Sequence, residues 1–315
     1  MKDTILELRG IKKYFPIQKG LLKRTVGYIK AVDHVDLFVK RNQIVGIVGE
    51  SGCGKSTLAR CILRLYEIDD GKIFFNGKDV TTLTKKELKS YRQKVQIVFQ
   101  DPYSSLNPKL TIKSSLMDGV KQANVEKPKR IEKISELLEL VGLPKDSMHK
   151  YPHQFSGGQR QRICIARALS LNPELIVCDE PVSALDVSVQ AQIINLLMEL
   201  KEKIGLSLIF ITHDLNLVGY FCDYVYVMYM GKIVECAPTL DIFKNPHHPY
   251  TRLLLDSIPG KRKQRPDSVF INKQDSQLNT QCGFAPRCKY FSKKCENNLD
   301  LREIEKGHWV RCSLI

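Results

Sequence analysis

The chain has 315 residues, enough for one large domain with appendages or for two domains, and its 43% hydrophobic content supports a packed core. The formal net charge of +15 suits an acidic partner, an anionic membrane surface or nucleic acid. Lysines are scattered through every region, however, which equally describes a solvated basic surface, and without an accompanying nucleic-acid-binding motif no nucleic-acid partner is expected.

No apolar run approaches the roughly 20 residues needed to span a bilayer. The start, Met1-Lys2-Asp3-Thr4, has no signal-peptide apolar segment, so a cytosolic chain is expected. The first informative element is the β-rich run Gln43–Val48. It leads into Gly49-Glu50-Ser51-Gly52-Cys53-Gly54-Lys55-Ser56-Thr57, and Ser56–Leu63 then reads as a helix. Strand, glycine loop and helix in this order form the context of a P-loop. Gly49, Gly52 and Gly54 let backbone N–H groups converge on phosphate oxygens, with Ser51 and Thr57 in the same cradle. Lys55 is expected on the β- and γ-phosphates and the Ser56 hydroxyl on Mg²⁺.

From about Asp101 to Arg167 the pattern turns from strands to helices. Arg130–Val141 is amphipathic at helical spacing, closed by Gly142 and Pro144. Phe155-Ser156-Gly157-Gly158-Gln159 opens another helix running to about Ser170, with Ser156 as its N-cap. The glycine pair at a helix N-terminus presents bare N–H groups to an anion. A chain with a P-loop already holds its own phosphates, so a second grip suggests that two subunits meet head to tail around ATP.

The apolar run Leu175–Cys178 reads as a buried strand ending in Asp179-Glu180-Pro181. Asp179 is placed to orient Mg²⁺ or its waters, and Glu180 is the candidate general base toward the attacking water. Ser183-Ala184-Leu185-Asp186 follows, then a helical run to about Lys203. A second buried strand, Leu206–Ile211, ends in Thr212-His213-Asp214, which puts His213 where ligands of open α/β sheets gather.

Six of the ten cysteines lie in the first 236 residues, several with apolar neighbours, and read as small core residues. The other four, Cys282, Cys288, Cys295 and Cys312, follow a basic linker at Gly260–Pro266. Three readings compete for them: an iron–sulfur cluster, a structural zinc ion, and disulfides or free thiols. The spacing lacks the Cys-x-x-Cys knuckles of common zinc sites.

Taken in order, these residues resemble the ATP-binding subunit of an ABC transporter over roughly residues 5 to 260: the P-loop, a Q-loop at Gln100, the signature at Phe155–Gln159, the pair Asp179-Glu180, a D-loop at Ser183–Asp186 and a switch histidine at His213. The resemblance implies an α/β fold, a P-loop NTPase (RecA-like) core with an antiparallel β subdomain, an inserted α-helical subdomain at about 101–167 and a cysteine-bearing C-terminal extension. It divides the chain at 1–260 and 261–315. It implies Tyr14, with Phe15 as runner-up, as the adenine-stacking aromatic. Gln100 is implied to contact Mg²⁺ or water, with Ser156, Gly157, Gly158, Gln159 and Asp186 at a nucleotide shared with a partner.

A narrower resemblance, to oligopeptide/dipeptide importer ATPases, rests on Phe99–Pro108, on His248–Pro259 and on the loop from Pro16 to Ala31, which resembles the long first hairpin of that group. Tyr103 and Tyr224–Gly231 look more like the F-type subunit than its D-type partner. This likeness implies a D-type ATPase, two transmembrane permeases and an extracytoplasmic peptide-binding protein as partners, with the chain peripheral at the cytoplasmic face of the membrane. It also implies a [4Fe–4S] cluster at the four tail cysteines, with Zn²⁺ as the alternative, acting as a structural staple in a segment with little core. A nickel importer ATPase and a soluble, non-transport ABC ATPase acting on ribosomes or DNA remain as alternatives.

Overall fold

The computed structural model describes residues 3–20, 24–258, 282–296 and 299–315; the basic linker at 260–266 lies outside them. In chain order, β1 (Thr4–Lys19) and β2 (Arg24–Lys40) precede β3 (Ile44–Val48), which leads through the glycine loop into α1 (Lys55–Ile62). Then come β4 (Asp70–Phe75), β5 (Lys78–Asp79), α2 (Lys85–Lys94) and β6 (Val95–Val98). A helical stretch follows: α3 (Pro102–Ser105), α4 (Ile112–Gln122), α5 (Arg130–Leu140) and α6 (Gly157–Leu169). Strands and helices alternate again through β7 (Leu175–Asp179), α7 (Val187–Ile204), β8 (Ser207–Thr212), α8 (Leu215–Phe221) and β9 (Tyr224–Tyr229). After them come β10 (Lys232–Pro238), α9 (Thr239–Lys244), α10 (Pro249–Asp256), β11 (Arg302–Glu305) and β12 (His308–Val310).

Two sheets result. A four-stranded antiparallel sheet has the order β2-β1-β4-β5, and an eight-stranded sheet has the order β11-β12-β10-β9-β3-β8-β7-β6. In the larger sheet β9, β3, β8, β7 and β6 run parallel, while β10, β12 and β11 are antiparallel additions. All six residues of β8 are buried. Leu208 and Phe210 join one apolar cluster and Ile209 and Ile211 the other, which is the period-2 outcome of a strand covered on both faces. The antiparallel sheet and α1 cover one face; the inserted helices, α7 and α8 cover the other.

The helices form where periodicity and caps agree. On α5, Ile134, Leu137 and Leu138 turn inward. Just beyond its C-cap, Gly142 takes φ +72°, a left-handed conformation that ends the helix at the expected place. Among the described residues no helix is long and apolar enough to cross a membrane.

The tail is tied in more closely than a segment with little core. β12 pairs with β10 through Glu235↔Val310 and Cys236↔Trp309, covering what would otherwise be a sheet edge. Leu299, Val310 and Cys312 are buried. The fully buried Glu235 carboxylate accepts from His308 Nε2 at 2.8 Å, from the His247 N–H at 2.7 Å and from the His248 N–H at 3.0 Å.

Candidate active site

The glycine loop joins the C-terminal end of β3 to the N-terminus of α1, so the first-turn N–H groups of α1 and the loop amides face one space. Gly54 has φ +112°, and a Cβ there would overlap the Ala31 carbonyl oxygen, so no other residue fits without displacing β2. Lys55 is buried, with its ammonium donating to the carbonyls of Gly49 at 2.8 Å and Glu50 at 2.9 Å. Ser56 Oγ donates to Asp179 Oδ1 at 2.9 Å, joining the start of α1 to the end of β7. Burial pushes the Asp179 carboxyl above its ordinary value, only partly offset by the Ser56 hydrogen bond and by Arg60 and Lys55.

Above this floor, the ends of three parallel strands bring the expected polar groups together. Gln100 Nε2, past β6, lies 3.4 Å from Glu180 Oε2 and 3.2 Å from Ser183 Oγ. His213 Nδ1, past β8, lies 3.4 Å from the same Glu180 oxygen. Glu180 itself adopts φ +48°, an uncommon conformation for a residue with a side chain, while its N–H donates to the Ile211 carbonyl at 3.0 Å. The turn out of β7 therefore aims the carboxylate back over the glycine loop.

Ser51, Gly52, Gly54, Lys55, Ser56 and Thr57, with Gln100 and Glu180, line a cleft of about 490 Å³. Its opposite wall is made by Ile29, Lys30 and Ala31 of β2 and by the Met230-Gly231 turn. These five fall inside the stretches Pro16–Ala31 and Tyr224–Gly231 that carry the importer resemblance, but no chemical motif marked them as part of a site. Gly231 ties the wall to the loop: its N–H bonds the Cys53 carbonyl at 2.8 Å and its carbonyl accepts from the Asp33 N–H at 2.8 Å. Tyr14 is not on this wall. Its hydroxyl donates to Asp33 Oδ1 at 2.5 Å, its N–H is held by Asp69, and the Lys30 ammonium sits 5.7 Å from its ring centre. Phe15 packs edge-on against Tyr66 at 5.6 Å.

The signature segment stands apart from this cleft. Ser156 caps α6, its Oγ accepting from the Gln159 N–H at 3.3 Å while Gln159 Oε1 accepts from the Ser156 N–H at 3.0 Å, a reciprocal capping box. Phe155 is buried in the helical-side core. Gly157 and Gly158 lie against Leu185 and Val189, and a Cβ on Gly158 would overlap the Val189 side chain. Asp186 is the exposed N-cap residue of α7. Neither the signature nor Asp186 lines this chain's own cleft.

The four tail cysteines converge. Cys282, Cys288, Cys295 and Cys312 line one narrow cavity together with His248, Phe284, Leu299 and Leu314. Burial raises the thiols of Cys282, Cys288 and Cys312 above the ordinary value. Among the described residues, no three His, Cys, Asp or Glu side chains stand close enough to hold a metal ion in their present positions. The other six cysteines are buried core residues, as their neighbours indicated.

Residues 32–183 match the family model described as ABC transporter, and residues 234–295 match the oligopeptide/dipeptide transporter, C-terminal region. The chain is 48% identical to the oligopeptide transport ATP-binding protein AppF of Bacillus subtilis, over 99% of this chain and 98% of that protein. It is 43% identical to OppF of the same organism, over 99% and 97% respectively. Among solved structures, cbiO1 of Clostridium perfringens, part of an ABC transporter complex, superposes with a TM-score of 0.67 at 26% identity, covering 77% of this chain and 92% of that one. The ATP-binding cassette MJ0796, solved as a dimer with ADP and Pi, gives 0.65 at 29% identity over 75% and 99%. Floor, ceiling and sequence order agree with these likenesses: the chain belongs to the ATP-binding subunits of ABC transporters, in the oligopeptide/dipeptide transporter family.

Proposed function

We propose that this chain binds and hydrolyses ATP to drive uptake of oligopeptides or dipeptides. The carrying observation is the convergence of Gln100, Glu180 and His213 over a cleft floored by Lys55 and the Ser56–Asp179 pair. Lys55 exchanges its carbonyl partners for β- and γ-phosphate oxygens. Glu180 takes the proton of the attacking water, and His213 and Gln100 orient that water and report the phosphate. The P–O bond to the leaving ADP then breaks as the new P–O bond forms. The Ser56 hydroxyl and Asp179 carboxylate suit Mg²⁺, a hard cation that takes oxygen ligands and would neutralise phosphate charge there. Tyr14 is the proposed adenine partner from its place on β1 beside Lys30.

The signature does not line this chain's own cleft, which supports a second ATPase subunit supplying the opposing half, and the importer likeness makes that subunit the D type. In that reading Ser156, Gly157, Gly158, Gln159 and Asp186 reach the partner's nucleotide. Two permeases and an extracytoplasmic peptide-binding protein complete the complex, with the chain peripheral at the cytoplasmic membrane face. Residues 1–260 form the nucleotide-binding unit and 261–315 the extension. The four thiols around one cavity fit a [4Fe–4S] cluster as donor set, with Zn²⁺ as the alternative; either would bind Cys282, Cys288, Cys295 and Cys312 as a staple rather than a redox catalyst. Iron, acid-labile sulfide and zinc assays on purified protein separate the two.

The test is Glu180→Gln in the assembled complex. Loss of a general base lowers turnover by about 10²–10⁴-fold while ATP still binds and holds the closed dimer. Uptake of labelled di-, tri- and pentapeptides falls with it. Normal ATP turnover would remove Glu180 as base; lost turnover with unchanged peptide uptake in cells lacking other importers would remove peptides as cargo.

A further inference from the structure

The glycine loop contains a residue of the wrong sign. The loop that gathers N–H dipoles for a triphosphate has the carboxylate of Glu50 at its second position; the residue does not line the cleft, but it directly precedes Ser51, which does, and like charge near an anionic ligand costs affinity. The structure pairs that carboxylate with a group 237 positions away. Arg287 Nη1 donates to Glu50 Oε2 at 2.8 Å and Nη2 donates to Oε1 at 2.9 Å, a two-pronged, charge-assisted bridge. Glu50 is held at two further points: its N–H donates to Tyr250 Oη at 2.9 Å, and its carbonyl accepts from Lys55 Nζ at 2.9 Å.

Arg287 is itself fixed by the tail. It ends a short turn, Ala285–Arg287, between Cys282 and Cys288. Phe284, 2% exposed, plugs that turn into an aromatic cage of Tyr229, Tyr250 and His248, with ring centres 5.4, 5.4 and 5.9 Å away. The guanidinium lies 5.6 Å from the Phe284 ring centre and 5.9 Å from that of Tyr229. A continuous path thus runs from the cysteine-lined cavity, through a rigid turn and one bidentate bridge, to the carbonyl that holds the P-loop lysine.

We propose that Arg287 is a positioning residue for nucleotide binding: acting through Glu50, it cancels the carboxylate's charge beside the triphosphate and holds the Gly49–Lys55 segment in its phosphate-receiving shape. The docked tail is then part of the ATP site. This rests on ATP binding at the P-loop and not on what the four cysteines hold.

Titration of the full-length chain with a fluorescent ATP analogue tests it, saturable binding by the wild type being the control that keeps this proposal separate from the family reading. Arg287→Gln is expected to weaken binding about tenfold, as loss of a charge-assisted bidentate pair beside an anion would. Arg287→Lys regains little, since one ammonium does not span both carboxylate oxygens. In the assembled complex the loss falls on the KM for ATP, with kcat at saturating ATP changing by less than about twofold. In a Glu50→Gln background, Arg287→Gln costs less than about twofold more, because the charge it answers is gone. Tyr250→Phe, which loosens Glu50 from the core side and leaves the tail in place, weakens binding about threefold, the worth of one modest hydrogen bond. Wild-type affinity in Arg287→Gln or Tyr250→Phe overturns the proposal. So does an Arg287→Gln loss of equal size in both backgrounds, which would mark a merely structural tail.

Discussion

Glu235→Gln tests how firmly the tail is locked to the main sheet. Glu235 is 0% exposed and His308 1%, so their contact is screened by protein rather than water. Oε1 accepts from the His247 N–H and His308 Nε2, and Oε2 accepts from the His248 N–H. Glutamine keeps the volume but turns one acceptor into an NH₂ donor. Facing either way, that NH₂ meets at least one buried donor head-on. The loss of a charge-assisted hydrogen bond, about 1.5–3 kcal/mol, adds to the cost of a buried unpaired donor, about 1–3 kcal/mol, for roughly 3–5 kcal/mol in all.

The chain has one tryptophan, Trp309, on β12 directly after His308, so its emission reports tail docking selectively. A urea titration followed at Trp309 is expected to show the tail releasing at markedly lower denaturant in the variant. Burial pushes the Glu235 carboxyl up, but His308, the Thr251 hydroxyl and the two backbone N–H groups together more than offset this and hold it below its ordinary value. A depressed carboxylate contributes stability that is present above the ordinary glutamate value and lost as the pH falls through the depressed one. The gap between wild type and variant therefore narrows on acidification through that window. A Trp309 midpoint within about 0.5 kcal/mol of wild type at neutral pH would refute the reasoning, since surface substitutions alone reach that size.

Other outcomes follow from the same geometry. Gly54→Ala forces a Cβ into the Ala31 carbonyl at φ +112°, and is expected to abolish measurable binding of a fluorescent ATP analogue by displacing the loop from β2. Phe284→Ala empties the aromatic cage at a cost of about 3–5 kcal/mol, read as faster hydrogen exchange across Cys282–Cys288. Ser156→Ala removes the side-chain cap of α6 and costs about 1 kcal/mol, measured as a small fall in unfolding temperature with ATP binding by this chain's own cleft unchanged. On the proposed metal reading of the tail, Cys312→Ser lowers the iron or zinc found per chain by elemental analysis of the purified protein, and equal metal content in wild type and variant counts against that reading.

Much of the fold could be read locally. The apolar runs at Leu175–Cys178 and Leu206–Ile211 became β7 and β8 to within a residue, and Gly142 closed α5 where expected. The N-cap role of Ser156 followed from its place before a glycine pair and a helical run, and the structure adds the reciprocal Gln159 bond. For the site, Lys55, Ser56, Asp179, Glu180 and His213 were named from motif and spacing and Gln100 from the family resemblance, and tertiary structure brings them around one cleft. Ile29, Lys30, Ala31 and Met230 lay in stretches noted only for the importer resemblance and were not read as site residues, because a cleft wall made of backbone and aliphatic stems requires only shape.

The sequence by itself determined which groups are available to the cleft, the glycine loop with Lys55 and Ser56 and the acidic pair Asp179-Glu180, and where strands and helices begin. These are decided within a few residues, by steric limits on glycine, by hydrogen-bond caps and by period-2 or period-3.6 burial. Only the tertiary structure decided how the tail is used. The pairing of β12 with β10, the His308–Glu235 contact and the Arg287–Glu50 bridge join residues 73 to 237 positions apart. No local pattern encodes such pairs, because a carboxylate, whether buried like Glu235 or half-exposed like Glu50, takes its partner from whatever the folded chain brings within about 3 Å.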